Sequence, residues 1–145
     1  MKYILLTVII FNIISCCKQK EDIAVCKAGK LSPLILDTNY ANIRLKNNSG
    51  IDFCEIAFDE KGTLSDQTSP TATYFGSLKN NSFTSYNYYK QVFIYGWVKA
   101  ITIDDSIYVK PIDYISEVPL DKGKYTFILS KGINNSLRLE AVKDK

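Results

Sequence analysis

The 145-residue sequence contains no histidine. That excludes Ser-His-Asp and Cys-His arrangements and removes the commonest general base. The four cysteines form no C-x-x-C pair, so the usual structural zinc sites are out of reach and no metal or cofactor is expected. No glycine-rich phosphate loop and no EF-hand spacing occurs. Glycosidase-type work needs two carboxylates facing one substrate, but the acidic pairs Asp59-Glu60 and Asp104-Asp105 fall at expected turns, where Asp serves the backbone. A large excess of one charge is also missing. The balance is 18 Lys and Arg against 15 Asp and Glu, and the lysines are dispersed, which argues against a nucleic-acid partner. Together these absences lead to the expectation that the chain is not an enzyme.

The chain opens on Lys2 and then an apolar stretch, "ILLTVIIFNII", from Ile4 to Ile14. A spanning helix needs about 20 apolar residues, so this stretch is too short to cross a bilayer. Its length and positive start fit a secretory signal peptide. Ile13, Ile14, Ser15 and Cys16 then resemble the lipobox of bacterial lipoproteins. The resemblance implies cleavage before Cys16, a diacylglyceryl thioether on its sulfur, and acylation of its new amino group. Two or more acyl chains make a stable anchor, each buried CH₂ adding about 0.8 kcal/mol, so the partner expected first is a membrane.

The domain organisation expected is a signal peptide at 1–15, a lipidated cysteine and tether at 16–30, and a folded domain at 31–145. Losing Lys2 with the signal lowers the formal charge from +3 to +2 and leaves enough chain for one domain with a core. The polar "KQKEDIAVCKAGK" reads as a flexible tether. Within it "QKED", Gln19 to Asp22, resembles the lysine-then-acidic signal that sends some Bacteroidota-type lipoproteins to the cell surface. An outer-membrane address is therefore expected, with the periplasmic or surface side left open. Cys26 and Cys54 are the candidate disulfide in an oxidising compartment; the alternative is a buried free Cys54 acting as a small apolar side chain.

From residue 31 onward, alternation, recurring turn residues and β-branched or aromatic side chains predict about seven to nine strands and no helix. "YANIRLKNN" sets Ile43 and Leu45 against Asn42, Arg44 and Lys46; "IDFCEIAF" follows after "NNSG", suggesting a hairpin. A short edge strand is expected near Tyr74-Phe75, another strand at Ser82–Tyr86, and a long one from Lys90 to Ile103. The last of these turns back through Asp104-Asp105. "GKYTFILSK" and "SLRLEAV" supply the final pair. The fold expected is a single antiparallel β-sandwich, because two such sheets must cover each other's apolar faces.

Leu120, Gly123 and Tyr125 in "PLDKGKYTF" stand at the spacing of the tyrosine corner of immunoglobulin-like and fibronectin-like sandwiches. That resemblance implies a tight turn at Gly123 and a buried Tyr125 whose hydroxyl reaches a backbone group. With "KNNS", "PIDYISE" and "GKYTF", the mature chain is similar to small Bacteroidota-type lipoproteins, a likeness that brings no activity with it.

The densest aromatic region is "YNYYKQVFIYGWVKA". In a regular strand Phe93, Tyr95 and Trp97 share one face, and Val92, Ile94, Val98 and Ala100 share the other. Either the aromatic row is an exposed platform for a glycan or an envelope protein, or it is buried between the sheets. Tyr86, Tyr88 and Tyr89 add amphipathic rings suited to recognition. Asn-Asn-Ser triplets begin at Asn47, Asn80 and Asn134, all where turns are expected. "DSI" at Asp105–Ile107 resembles a short O-glycosylation motif of Bacteroidota envelope proteins, with Ser106 as acceptor. The function expected is a lipid-anchored, non-catalytic binding or structural module of a cell envelope. Alternatives are a carbohydrate-binding lipoprotein using Phe93, Tyr95 and Trp97, and an enzyme or inhibitor with an unadvertised site.

Overall fold

The computed structural model describes Cys26 and residues 29–60, 71–94, 96–109 and 118–145. Cys16, the signal segment, Gln19–Asp22, Tyr95 and "PIDYISE" lie outside the described residues. The strands are β1 (Ala41–Asn48), β2 (Glu55–Asp59), β3 (Thr73–Tyr74), β4 (Asn87–Tyr89), β5 (Trp97–Ile101), β6 (Ser106–Val109), β7 (Gly123–Lys131) and β8 (Leu137–Lys143), with one 3-10 turn at Ile133–Asn135. They form two four-stranded sheets, ordered β4-β1-β7-β8 and β3-β2-β5-β6. No α-helix occurs among the described residues, and the architecture is an all-β sandwich.

Alternation drives the assembly. Ile43 and Leu45 of β1 and Phe127 and Leu129 of β7 point inward with no exposed surface, meeting Ile56, Phe58, Val98 and Ala100 from the other sheet. Phe58 sits centrally, its ring edge-on to Phe127 at 5.3 Å and to Tyr89 at 5.0 Å. Such pairs add about 0.5–1.5 kcal/mol each beyond the area they bury. The β5–β6 hairpin turns through Asp104 and Asp105, and β7 and β8 pair from Tyr125↔Lys143 to Lys131↔Leu137, as the sequence suggests.

Three local expectations are corrected. First, the pairing is not wholly antiparallel, because β1 and β7 run parallel from Ala41↔Gly123 to Asn48↔Ser130. No hairpin joins them, and their register is set instead by stacking buried residues, Ile43 beside Tyr125 and Leu45 beside Phe127. Second, β1 and β2 are not a hairpin but belong to different sheets. The reason is Asn47, which has no exposed surface and staples an arch between the sheets. Its Nδ2 donates to the Ile51 carbonyl at 2.7 Å and the Leu78 carbonyl at 3.2 Å, and its Oδ1 accepts from Ser49 N at 3.0 Å and Ser49 Oγ at 2.7 Å. Asn47 therefore lies in a strand and not in an exposed turn, and its amide is unavailable to a glycan.

Third, the long strand from Lys90 is cut to Trp97–Ile101 and the Ser82–Tyr86 strand moves to Asn87–Tyr89. The ladder of β5 ends where β2 ends, at Asp59↔Trp97. Just before it, Gly96 lies so close to the core that a Cβ there would come within 2.1 Å of Phe58 Cε2 and 2.9 Å of Phe127 Cε2.

The domain also takes hold of the chain before residue 31. Cys26 is disulfide-bonded to Cys54, the Lys30 N–H donates to Glu55 Oε2 at 2.6 Å, and Leu31 bridges to Phe75 at the β3 edge. A cross-link spanning 28 residues restricts the unfolded chain by roughly 3–4 kcal/mol in the loop-entropy account.

Candidate functional site

The outer face of the first sheet carries a band of aromatic and cationic side chains. Ile43 pairs with Asn87, but Lys46 bridges to Phe83. Thr84, Ser85 and Tyr86 thus stand against only Arg44 and Leu45, a β-bulge that shifts the alternation by one residue. The bulge is pinned by Thr84, whose Oγ1 accepts from Leu45 N at 2.9 Å and whose N–H donates to the Leu45 carbonyl at 2.9 Å. Phe83 consequently joins Tyr86 and Tyr88 on the outer face, and Tyr88 meets Tyr40 with ring centroids 5.7 Å apart.

Arg44 organises this surface. Its guanidinium lies 4.5 Å from the Phe83 ring centroid and 4.8 Å from that of Tyr86. Its Nε donates to Thr126 Oγ1 at 2.8 Å, and its Nη2 pairs with Asp144 Oδ2 at 3.5 Å. Asp144 also accepts from Thr126 Oγ1 at 2.7 Å and from the Tyr86 hydroxyl. Partial burial and the bond to Asp144 hold the Tyr86 phenol above its ordinary pKa, because both favour the neutral form. Lys46 and Lys124 reach the Phe83 and Tyr86 rings at 5.1 and 5.3 Å. Each exposed cation–ring contact contributes about 0.5–1 kcal/mol. Phe83 nevertheless remains 47% exposed, so the band offers open apolar area beside fixed positive charge.

A groove of about 440 Å³ adjoins Tyr88, where the edge strands β3 and β4 of the two sheets leave the sandwich open. Asn87 bridges the gap, donating from Nδ2 to Thr73 Oγ1 at 3.2 Å and accepting at Oδ1 from Ile35 N at 2.9 Å. Tyr89 forms the floor: its ring packs on Phe58 and the residue is 4% exposed. Its hydroxyl is sealed from solvent, with the Thr73 and Asn87 side chains beside it. Burial pushes the Tyr89 phenol well above its usual pKa.

Of the residues singled out by sequence, Tyr86 and Tyr88 join this band, whereas Phe93, Trp97 and the Leu120–Tyr125 corner fall elsewhere. Val98 and Ala100 face the core, which turns Trp97 to the outer face of the second sheet beside Asp59. Trp97 and Phe93 are both half-buried, and strand alternation does not extend from Trp97 back to Phe93. Asp59 is fully buried and accepts from Thr71 Oγ1 at 2.9 Å. At the corner, Gly123 has φ +142°, Leu120 packs on the core and Tyr125 is buried. The Lys143 ammonium lies 5.5 Å from the Tyr125 ring centroid, and no hydrogen bond from the Tyr125 hydroxyl is present among the described residues. Ser106 is exposed at the start of β6.

Arg44 and Phe83 are the residues that sequence reasoning missed as a site, and Tyr89, read from the sequence as a recognition ring, is instead buried against Phe58. The one available signal was the aromatic spacing in "FTSYNY": three residues from Phe83 to Tyr86, then two to Tyr88, which no regular strand can place on one face. Set against known proteins, the chain matches no protein-family model and has no significant match among curated proteins.

Proposed function

We propose that this chain is an exported, lipid-anchored module of a bacterial cell envelope that binds a component of that envelope without doing chemistry on it. The observation that carries the reading is the outer-face band of Tyr40, Tyr88, Tyr86 and Phe83, in which Arg44 lies against Phe83 and Tyr86 and Asp144 holds the Tyr86 hydroxyl. Rigid aromatics with few rotors, flanked by arginine, are the side chains that most often dominate binding energy. Because the hydrogen-bonded cluster already fixes Tyr86 and Arg44, little ordering entropy is lost there on contact. The lipobox-like Ile13–Cys16 supports the anchor, and Gln19–Asp22 supports an outer-membrane address. A second reading, carbohydrate binding through Phe93, Tyr95 and Trp97, is favoured by the outward placement of Trp97 on the second sheet.

The test is retention of detergent-solubilised envelope material by the immobilised full chain, comparing wild type with Phe83→Ser and with Phe83→Ser/Tyr88→Ser. Phe83→Ser should weaken retention by at least about tenfold, the loss typical of a dominant aromatic contact. Equal retention by all three proteins contradicts the use of this face. Loss only on Trp97→Ala moves the function to the second sheet.

A further inference from the structure

The chain enters the fold along the open edge of the sandwich. The Lys30 carbonyl accepts from Gly76 N at 3.1 Å and the Ser32 N–H donates to the Tyr74 carbonyl at 2.8 Å, which lays this stretch beside β3. Three residues on, the Ile35 carbonyl accepts from Tyr88 N at 2.8 Å, on β4. The entry segment is thus tied to one edge strand of each sheet, yet its large apolar side chains face water: Leu31, Ile35 and Leu36 are 68%, 56% and 60% exposed. It also runs into the aromatic band. Ile35 and Tyr88 line the same groove, and Tyr88 leads on to Tyr40 and half-exposed Phe83. Exposed apolar surface gathered on one side of a fold marks a place of contact.

Charge and chain length select what is contacted. Lys46 and Lys124 lie over the Phe83 and Tyr86 rings, and neither is paired with a carboxylate among the described residues. The acids on this side are engaged or offset: Asp144 holds Arg44 and Tyr86, Asp37 accepts from Asn39 N at 2.9 Å, and Glu60 shares its groove with Lys90. The other exposed aliphatic group is the reverse. Ile51 and Ile103 line a pocket with Asp52, Asp104 and Asp105, and no lysine or arginine is among the described residues lining it. An anionic surface attracts the first side and repels the second. The aliphatic side chains of the entry segment offer a saccharide no polar atom, whereas interfacial binding scales with apolar area plus attraction to anionic lipid. The bridge to Cys54 fixes where the chain enters, and Cys26 follows Cys16 by only ten residues, about 36 Å at full extension. We infer that the entry segment and the β4 side of the first sheet lie on the anionic bilayer itself, with Leu31, Leu36 and Phe83 among the headgroups, Tyr88 at their level, and Lys46 and Lys124 paired with lipid phosphates. Tyrosine and lysine suit those depths, each having an apolar body and a polar tip. This deepens the binding-module reading and rests on its membrane placement: the component met by the aromatic band is lipid.

The experiment places the ¹⁵N-labelled chain, purified from the membranes of a bacterial host, in nanodiscs of mixed phosphatidylcholine and phosphatidylglycerol doped with a gadolinium-chelating lipid. Amide broadening then reads the orientation of the domain, whether acyl chains or an uncleaved signal segment hold it. Broadening should be strongest at Leu31, Leu36 and Phe83, and weakest at Ile107 and Tyr108 of β6, the strand at the far edge of the second sheet from β3. Leu36→Glu/Phe83→Glu, two exposed positions, should flatten that pattern with the urea midpoint unchanged. Lys46→Gln and Lys124→Gln should each lower the ratio of docked to released domain about fivefold, the worth of one lysine near an anionic surface, and pure phosphatidylcholine should act in the same direction. Even broadening across the wild-type domain, a maximum at Ile103 or β6, or a pattern unmoved by Leu36→Glu/Phe83→Glu overturns the proposal. If lipid-free envelope material is still retained through Phe83 in that case, the docking falls and the binding module stands, with a protein or glycan as its partner.

Discussion

At the scale of single residues, Asn47 shows how one side chain decides where the chain goes. Its four hydrogen bonds close the arch that carries the chain from the first sheet to the second, and each is buried or nearly so. Asn47→Asp replaces the donating NH₂ with an acceptor facing the Ile51 and Leu78 carbonyls. The expected cost is about 3 kcal/mol or more, from unsatisfied carbonyls and a buried charge, read as a lower urea midpoint with unchanged slope. Asn80→Asp is the control: Asn80 Oδ1 only accepts from Gly50 N, at an exposed site, so little change is expected. In the sequence Asn47 is one of three Asn-Asn-Ser triplets and looks like an acceptor in a turn. Its burial was not legible there, because a buried asparagine is signalled by its partners, which lie up to 31 residues away.

At the scale of elements, alternation made β1, β5, β7 and β8 readable, since each turns every second residue toward the core. It failed wherever regular pairing stops. The bulge at Thr84–Tyr86 moved Phe83 to the outer face, and the end of β2 cut the long aromatic strand at Trp97. Both events depend on a partner strand distant in sequence, so no local pattern announces them. The candidate site suffered most: its aromatics were visible as a cluster, but their sharing of a face with Arg44 was not. Gly96 marks the cut physically. A methyl group there would overlap the Phe58 ring, and two packed core rings cannot both yield. Gly96→Ala should therefore cost about 3 kcal/mol, at the top of the usual overpacking range. Adding Phe58→Leu should make the two effects non-additive by more than about 0.5 kcal/mol in a double-mutant cycle. Strict additivity would show that the close approach carries no strain.

At the scale of the whole molecule, the parts serve a single arrangement. The sandwich stiffens two faces and one open edge, and the Cys26–Cys54 bridge ties the entering chain to the second sheet. Only the stretch between Cys16 and Cys26 then separates the proposed lipid from the fold, which would hold the domain within a short reach of the membrane. Everything proposed about binding presupposes that placement. The most direct measurement is metabolic labelling with an alkyne fatty acid in a bacterial host, applied to wild type, Cys16→Ser and Cys17→Ser. The account predicts label on wild type and Cys17→Ser, none on Cys16→Ser, and an unprocessed Cys16→Ser precursor longer by the signal segment. Label persisting on Cys16→Ser, or lost only on Cys17→Ser, would contradict it.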